Sequence, residues 1–147
     1  MIFRILIELA ALFALFWSIK SQRPLPIIIT IVMIAGIIFT LFPVKEIGIP
    51  GIYIYMASLV LVFIYAFTKK SISVVPRIML LLMAACLFLF WLWVENHWHG
   101  NTNVFLALTL IALIVALFYR RSLKNEYGFM AIIGMDAFTL ILEHLLK

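Results

Sequence analysis

Residues 76–94 read PRIMLLLMAACLFLFWLWV, and this stretch decides the class of protein to which the chain belongs. Arg77 is its only charged residue, and every residue from Ile78 to Val94 is apolar. A helix needs about 20 mostly apolar residues to cross a hydrocarbon core roughly 30 Å thick. Because these residues leave no polar face, the stretch is typical of a helix surrounded by lipid.

The composition of the whole chain agrees with that stretch. Of the 147 residues, 67% are hydrophobic and 12% are charged, and the mean hydropathy is +1.26. A water-soluble domain of this size has too little interior to bury so much apolar surface. The sequence therefore predicts an integral membrane protein.

Six apolar segments are candidate membrane spans. The pieces between them, KSQRPL, KEIGIP, KKSISVV, ENHWHGN and RRSLKNEY, are too short to form a soluble domain, which excludes most soluble enzyme classes. The predicted fold is all-α: a single transmembrane domain over residues 1–147, built as an antiparallel bundle of six helices with short loops. The segments are Ile2–Ile19, Pro26–Val44, Gly51–Thr68, Pro76–Val94, Thr102–Tyr119 and Gly128–Leu146.

The basic residues are divided unequally between the two sides of such a bundle. Lys and Arg in short loops stay on the cytoplasmic side, so we expect both termini outside a plasma (inner) membrane. The net charge of +5 predicts contact with anionic lipid headgroups and no nucleic-acid partner. The eight inner residues are Lys20, Arg23, Lys69, Lys70, Arg77, Arg120, Arg121 and Lys124, and the three outer ones are Arg4, Lys45 and Lys147.

The first segment has the early Arg4 and apolar middle of a secretory signal. It lacks a small-x-small cleavage pattern and carries Glu8, so we expect it to remain in the mature protein. The only cysteine, Cys86, lies in the middle of an apolar segment, where packing explains it.

The basic connectors also contain a repeated pair of residues. Lys20-Ser21, Lys70-Ser71 and Arg121-Ser122 lie at spacings of 50 and 51 residues, each before another apolar segment. Three repeated helical hairpins would produce this pattern, and so would evenly spaced hairpins that follow the charge rule. We favour the second explanation.

Ionisable residues inside the apolar segments are the first candidates for function, because such groups are costly in hydrocarbon and usually face protein or water. Glu8 lies four residues from Arg4, so an interfacial ion pair explains it. Asp136 lies in GFMAIIGMDAFTLIL with no basic residue within a helical turn. That setting predicts a protonated carboxyl group or one that is paired across helices.

Asp136 and Glu143 fall on one face of the last helix by their spacing, with His144 beside them. Other acids and histidines predicted on the same outer side are Glu8, Glu95, His97 and His99. This group is either the entry to a proton or cation site at Asp136 or ordinary headgroup-level polarity, and we favour the latter.

The connector WLWVENHWHGNTN, residues 91–103, holds two histidines that are two residues apart. His97 and His99 would need at least one further ligand, from Glu95, Glu143 or His144, to hold a metal ion. The tryptophans around them are typical of an aromatic belt where a helix leaves a membrane. We therefore expect an outer loop without a bound metal, and a chain without a cofactor.

Three stretches, RPLPIIIT, GIPGIYIYMASLVLVFIYAF and GFMAIIGMDAFTLIL, resemble scattered pieces of the lysoplasmalogenase-like membrane hydrolases. The resemblance implies that Asp136 matches a late aspartate of that family. A second aspartate and a helix histidine of the family pattern have no counterpart here, and six spans are fewer than that family usually has. These departures put a shared activity in doubt.

Three function classes remain. We favour a non-catalytic accessory or structural subunit of a membrane assembly, whose partners are lipids and other membrane chains or copies of itself. The alternative is a small proton- or cation-linked transporter or channel that uses Asp136, Glu143 and Glu8. A membrane-embedded hydrolase ranks last, because no GxSxG, HExxH or comparable catalytic set occurs, so we expect a protein that is not an enzyme.

Overall fold

A computed structural model describes residues 2–42, 45–69, 72–119 and 121–146, apart from the side chains of residues 2–4, 45 and 47. Over these residues the fold is all-helical, as the sequence predicts, with six helices joined by short loops. The helices are α1 (Ile2–Ser21), α2 (Pro24–Thr40), α3 (Lys45–Thr68), α4 (Val74–Glu95), α5 (Asn103–Phe118) and α6 (Tyr127–Leu145).

Three of the described helices are long and apolar enough to cross a membrane. They are Gly48–Thr68 within α3, α4 and α6. Helices α2 and α5 are apolar but shorter, with 17 and 16 residues, which is near the lower limit for a membrane span. Membrane-compatible helices are therefore confirmed for α3, α4 and α6, whereas a six-span bundle stays a prediction.

The helix boundaries follow the predicted segments closely except around the α2–α3 turn, where α2 ends at Thr40 and not at the predicted Val44, and α3 begins early. This helix was expected to begin at Gly51, but it begins at Lys45 and contains Pro50. Pro50 is the sixth residue of this helix, so its missing amide hydrogen removes the hydrogen bond that would join it to the Glu46 carbonyl. The turn between α2 and α3 is shorter than predicted.

Helix α6 is the central helix of the bundle. It contacts α1, α2, α4 and α5, whereas α1 and α5 do not contact each other over the described residues. The remaining contacts join helices that are consecutive in the chain. Side chains on the inner faces of α6, such as that of Asp136, are therefore surrounded by protein.

The three basic connectors meet at one end of the bundle, called here the basic end. The Trp17 indole Nε1 of α1 donates a hydrogen bond to the carbonyl of Lys124, at 2.7 Å. The hydroxyl groups of Ser73 and Ser122 lie 3.4 Å apart, which joins the α3–α4 connector to the α5–α6 connector. The other end, called the opposite end, carries the α2–α3 and α4–α5 connectors.

Part of the predicted charge and repeat pattern lies outside the described side chains. The repeat and the membrane orientation therefore stay predictions. The residues concerned are Arg4, Lys45, Lys70, Ser71, Arg120 and Lys147.

Helices α2 and α3 approach each other closely at Gly36. A Cβ atom built at this position would lie 2.7 Å from the backbone nitrogen of Tyr55. Because the obstacle is backbone, no side-chain rotation relieves the contact, and the two helices would have to separate. Small residues at helix crossings allow this kind of close packing in membrane proteins.

Gly36→Ala is expected to lower the free energy of unfolding by about 1–3 kcal/mol through overpacking, although alanine favours helix. Gly48→Ala is the matched control, because a Cβ atom there would lie 3.7 Å from the Phe42 carbonyl oxygen, an ordinary contact. Thermal unfolding of both variants in detergent measures the difference. Equal melting temperatures would contradict the close approach of α2 and α3.

Candidate functional site

A partly enclosed cavity of about 140 Å³ lies between α1, α2, α3, α4 and α6, toward the opposite end of the bundle. Water fills roughly 30 Å³ per molecule in the liquid, so the cavity has room for about four water molecules or a small hydrated cation. Its wall combines apolar side chains with residues that carry polar atoms. The polar residues are Thr40, Tyr55, Trp91, Asp136, Thr139 and Glu143.

Asp136 is the central polar residue of this cavity, and it is only 7% exposed. Its Oδ2 accepts a hydrogen bond from the indole Nε1 of Trp91, at 3.2 Å. The Thr139 hydroxyl donates to the backbone carbonyl of Asp136, at 2.9 Å. The Asp136 carboxyl group therefore faces the interior of the bundle and not the lipid.

Two acidic residues contribute to the described wall of the cavity. Asp136 and Glu143 both line it, and no Lys, Arg or His stands among the described residues of its wall. An ionised carboxylate as deeply buried as that of Asp136 is costly, so this group favours a bound proton or cation.

Tyr55 brings a buried hydroxyl group to the same cavity. Its ring packs edge-on against that of Trp91, with 6.3 Å between centroids. The hydroxyl is buried beside the Asp136 carboxyl group and interacts with it electrostatically, but it forms no hydrogen bond of ordinary geometry with a described residue. A buried polar group without such a partner can serve a bound ligand or an ordered water molecule.

The other candidate residues lie in different surroundings. Glu143 is half-buried and lines the cavity about two helical turns beyond Asp136, as their spacing predicts. Glu8 and His144 are exposed, and Glu95 is half-buried. None of these three lines the cavity.

The histidine connector does not assemble a metal site from described residues. His97 and His99 are both exposed, and His97 adopts a positive φ of 52° in the turn after α4. Trp98 folds back so that its ring packs edge-on against Trp93, with 5.2 Å between centroids. Across the described part of the chain, no three His, Cys, Asp or Glu residues come together in a way that could hold a metal ion.

A second buried carboxylate, absent from the sequence-based candidates, lies at the basic end. Glu126 is the residue directly before α6; its side chain makes no capping hydrogen bond to that helix and is completely buried. Its Oε1 accepts hydrogen bonds from the Tyr65 hydroxyl, at 2.7 Å, and from Lys69 Nζ, at 2.5 Å. The Lys69 ammonium group also contacts the Tyr65 hydroxyl. Glu126 Oε2 is buried without a hydrogen-bond partner among the described residues.

The sequence contains one signal that pointed to Glu126. It is the only acid in the connector RRSLKNEY and directly precedes a helix, where a negative charge is stabilised by the helix dipole. Glu126 lies outside the apolar segments, so it does not belong to the intramembrane ionisable residues that the sequence indicates. Its burial follows from the packing of α3 against this connector.

No family model matches the chain, and neither curated proteins nor solved structures give a significant match. The resemblance to the lysoplasmalogenase-like hydrolases therefore has no support beyond the three stretches that suggested it.

Proposed function

We propose that the protein is a six-span membrane protein that binds a proton or a small cation at Asp136 as part of transport across the membrane. The observation that carries this proposal is the position of Asp136 inside the bundle, in a cavity that also holds Tyr55 and Glu143. Intramembrane carboxylates that face a polar cavity are typical of proton and ion pathways. The group that faces Asp136 from α4 is the Trp91 indole, which carries no charge.

The helix lengths support six spans. Helix α2, with 17 residues, is about 26 Å long at 1.5 Å per residue, close to the hydrocarbon thickness. It packs along α3, which is long enough to span. Helix α1 packs along α6 in the same way.

The direct test is flux through purified protein in sealed liposomes. We expect wild-type protein to dissipate an imposed proton or monovalent-cation gradient faster than protein-free liposomes do. An encapsulated pH dye and a radioactive sodium tracer distinguish the two ions. Absence of flux for protons and for monovalent cations would contradict the proposal.

An accessory role is the second candidate, favoured by a shallow apolar groove between α3 and α4. This groove has a volume of about 300 Å³, and Ala84 and Ala85 form part of its lining. Ala84 is buried, and the half-buried Ala85 is small enough to let another helix pack closely. A discrete partner chain that remains bound after gentle detergent extraction, together with absent flux, would favour the accessory role.

A hydrolase is not proposed for this site. The described wall of the Asp136 cavity contains no Ser, Cys or His that could act as nucleophile or base beside the carboxylate. Ser58, the nearest serine on α3 in sequence, donates its hydroxyl to the backbone carbonyl of Tyr55, at 2.6 Å.

The proposed orientation places the basic end in the cytoplasm and the opposite end outside. Single cysteines in a Cys86→Ala background test it with a membrane-impermeant maleimide. Glu46→Cys and His99→Cys, both at exposed positions of the opposite end, are expected to label in intact cells. Ser73→Cys and Ser122→Cys, exposed at the basic end, are expected to label only after permeabilisation.

The test needs exposed positions, because a buried cysteine does not react with the maleimide. Ile72 and Leu123 are 3% and 0% exposed, so cysteines there would resist labelling on either side of a membrane. Labelling of the basic-end pair alone in intact cells would reverse the orientation.

A further inference from the structure

An apolar groove of about 720 Å³ runs between α1 and α5. It shares no lining residue with the Asp136 cavity. Since α1 and α5 do not contact each other over the described residues, α6 forms the floor of this groove. Phe13 lines one wall and Leu113 the other, and Ala131 and Gly134 belong to the floor. The groove is thus a lateral opening on the side of the bundle.

At the basic end of the bundle, the groove is lined by aromatic rings and flanked by lysines. Trp17 and Tyr127 line it there, with ring centroids 5.5 Å apart. Lys20 Nζ lies 5.8 Å from the centroid of the Trp17 ring, and the Trp17 indole is hydrogen-bonded to the backbone of Lys124. Both lysines are exposed. Aromatic rings followed by cations are the arrangement found where a protein surface passes from acyl chains to headgroups.

We propose that this groove holds an acyl chain of an anionic phospholipid, whose phosphate group is bound by Lys20 and Lys124. The groove takes the chain along Phe13 and Leu113, and the two ammonium groups neutralise the headgroup. The inference rests on membrane insertion of α1, α5 and α6, which is part of the proposed function. It does not depend on any role of Asp136.

The dimensions and the charge favour a lipid over a partner helix. A spanning helix about 10 Å wide and about 30 Å long occupies roughly 2,400 Å³, several times the volume of the groove. A volume of about 720 Å³ lies within the range of pockets that enclose small ligands, about 300–1,000 Å³. Two lysines at one end complement an anionic headgroup, and the cytoplasmic leaflet is rich in such lipids.

Native mass spectrometry of the full chain tests the proposal. The protein is equilibrated in detergent with equal amounts of phosphatidylglycerol and phosphatidylcholine that carry identical acyl chains. We expect one phosphatidylglycerol molecule to be retained in preference to phosphatidylcholine. In a Lys20→Ala/Lys124→Ala variant, that preference should fall by about 30-fold at low salt, because each surface cation contributes about a factor of five. Arg77→Ala, on α4, is the matched control and should keep the preference.

A second variant tests the acyl chain separately. Ala131→Trp fills the floor of the groove and should reduce retention of both lipids, whereas Ala57→Trp, at an exposed position of α3, should not. Asp136→Asn should leave retention unchanged, which separates this inference from the transport proposal. Equal retention of the two lipids by wild-type protein would overturn the inference. A dimer that Ala131→Trp dissociates would also overturn it, by assigning the groove to a second copy of the chain.

Discussion

Asp136→Asn is expected to abolish proton or cation flux while leaving the fold intact, which is the largest functional effect of a single substitution in this protein. The amide has nearly the shape of the carboxyl group, and its oxygen can still accept the hydrogen bond from Trp91 Nε1. It cannot carry the negative charge that binds a proton or cation. Flux in liposomes should therefore fall by more than about tenfold.

One control and two further variants make this result specific. Glu95 is a half-buried acid at the same end of the bundle, but it does not line the cavity. The Glu95→Gln variant should therefore show the same flux as the wild-type protein. Tyr55→Phe removes only the buried hydroxyl beside Asp136 and should reduce flux to an intermediate level. Asp136→Leu leaves the Trp91 indole without its acceptor and should lower stability by about 1–3 kcal/mol.

Stability and flux must be measured on the same preparation. A monodisperse Asp136→Asn protein with normal melting temperature and wild-type flux would defeat the transport proposal. A variant that loses flux because it unfolds is recognised by its melting temperature. In that case Tyr55→Phe, which leaves the Asp136 to Trp91 hydrogen bond in place, provides the functional comparison.

Lys69→Met is expected to be the most destabilising substitution that removes a charge. It leaves the completely buried Glu126 carboxylate without its cation, while the Tyr65 hydroxyl remains as the only described donor. Removing one partner of a buried ion pair typically costs 3–5 kcal/mol. Because the Lys69 side chain is 25% exposed, we expect the lower end, about 3 kcal/mol, and a melting temperature lower by roughly 10 °C.

The reverse substitution should be milder. Glu126→Gln leaves Lys69 with a partly exposed ammonium group that can turn toward water, so the loss should be about half as large. The double variant Lys69→Met/Glu126→Gln removes both charges and should be more stable than Lys69→Met alone. Lys20→Met, at an exposed position of the same end, controls for loss of a positive charge.

Thermal unfolding in detergent of these four variants gives the coupling between the two residues. Strictly additive losses for Lys69→Met and Glu126→Gln would show that the pair does not interact in the folded protein. A Lys69→Met protein as stable as Lys20→Met would lead to the same conclusion.

The environment of Asp136 could be predicted in part from the sequence. Its place in an apolar segment without a nearby cation predicted a carboxyl group that is either neutral or paired across helices, and the structure places it inside the bundle against Trp91. The three-four spacing also placed Glu143 on the same face, and both residues line one cavity. The exposed positions of Glu8 and His144 depend on how α1 and the end of α6 are rotated, which spacing within one segment does not define.

The sequence by itself determined the membrane-compatible class and the six helical segments, because the length of an apolar run and the thickness of a bilayer are sufficient for both. Only the tertiary structure decided which side chains meet. Trp91 lies 45 residues from Asp136, and Lys69 lies 57 residues from Glu126, so these contacts depend on which helices are neighbours around α6. Uniformly apolar helices have almost no polar face to define that order, and close packing at small residues such as Gly36 selects it instead.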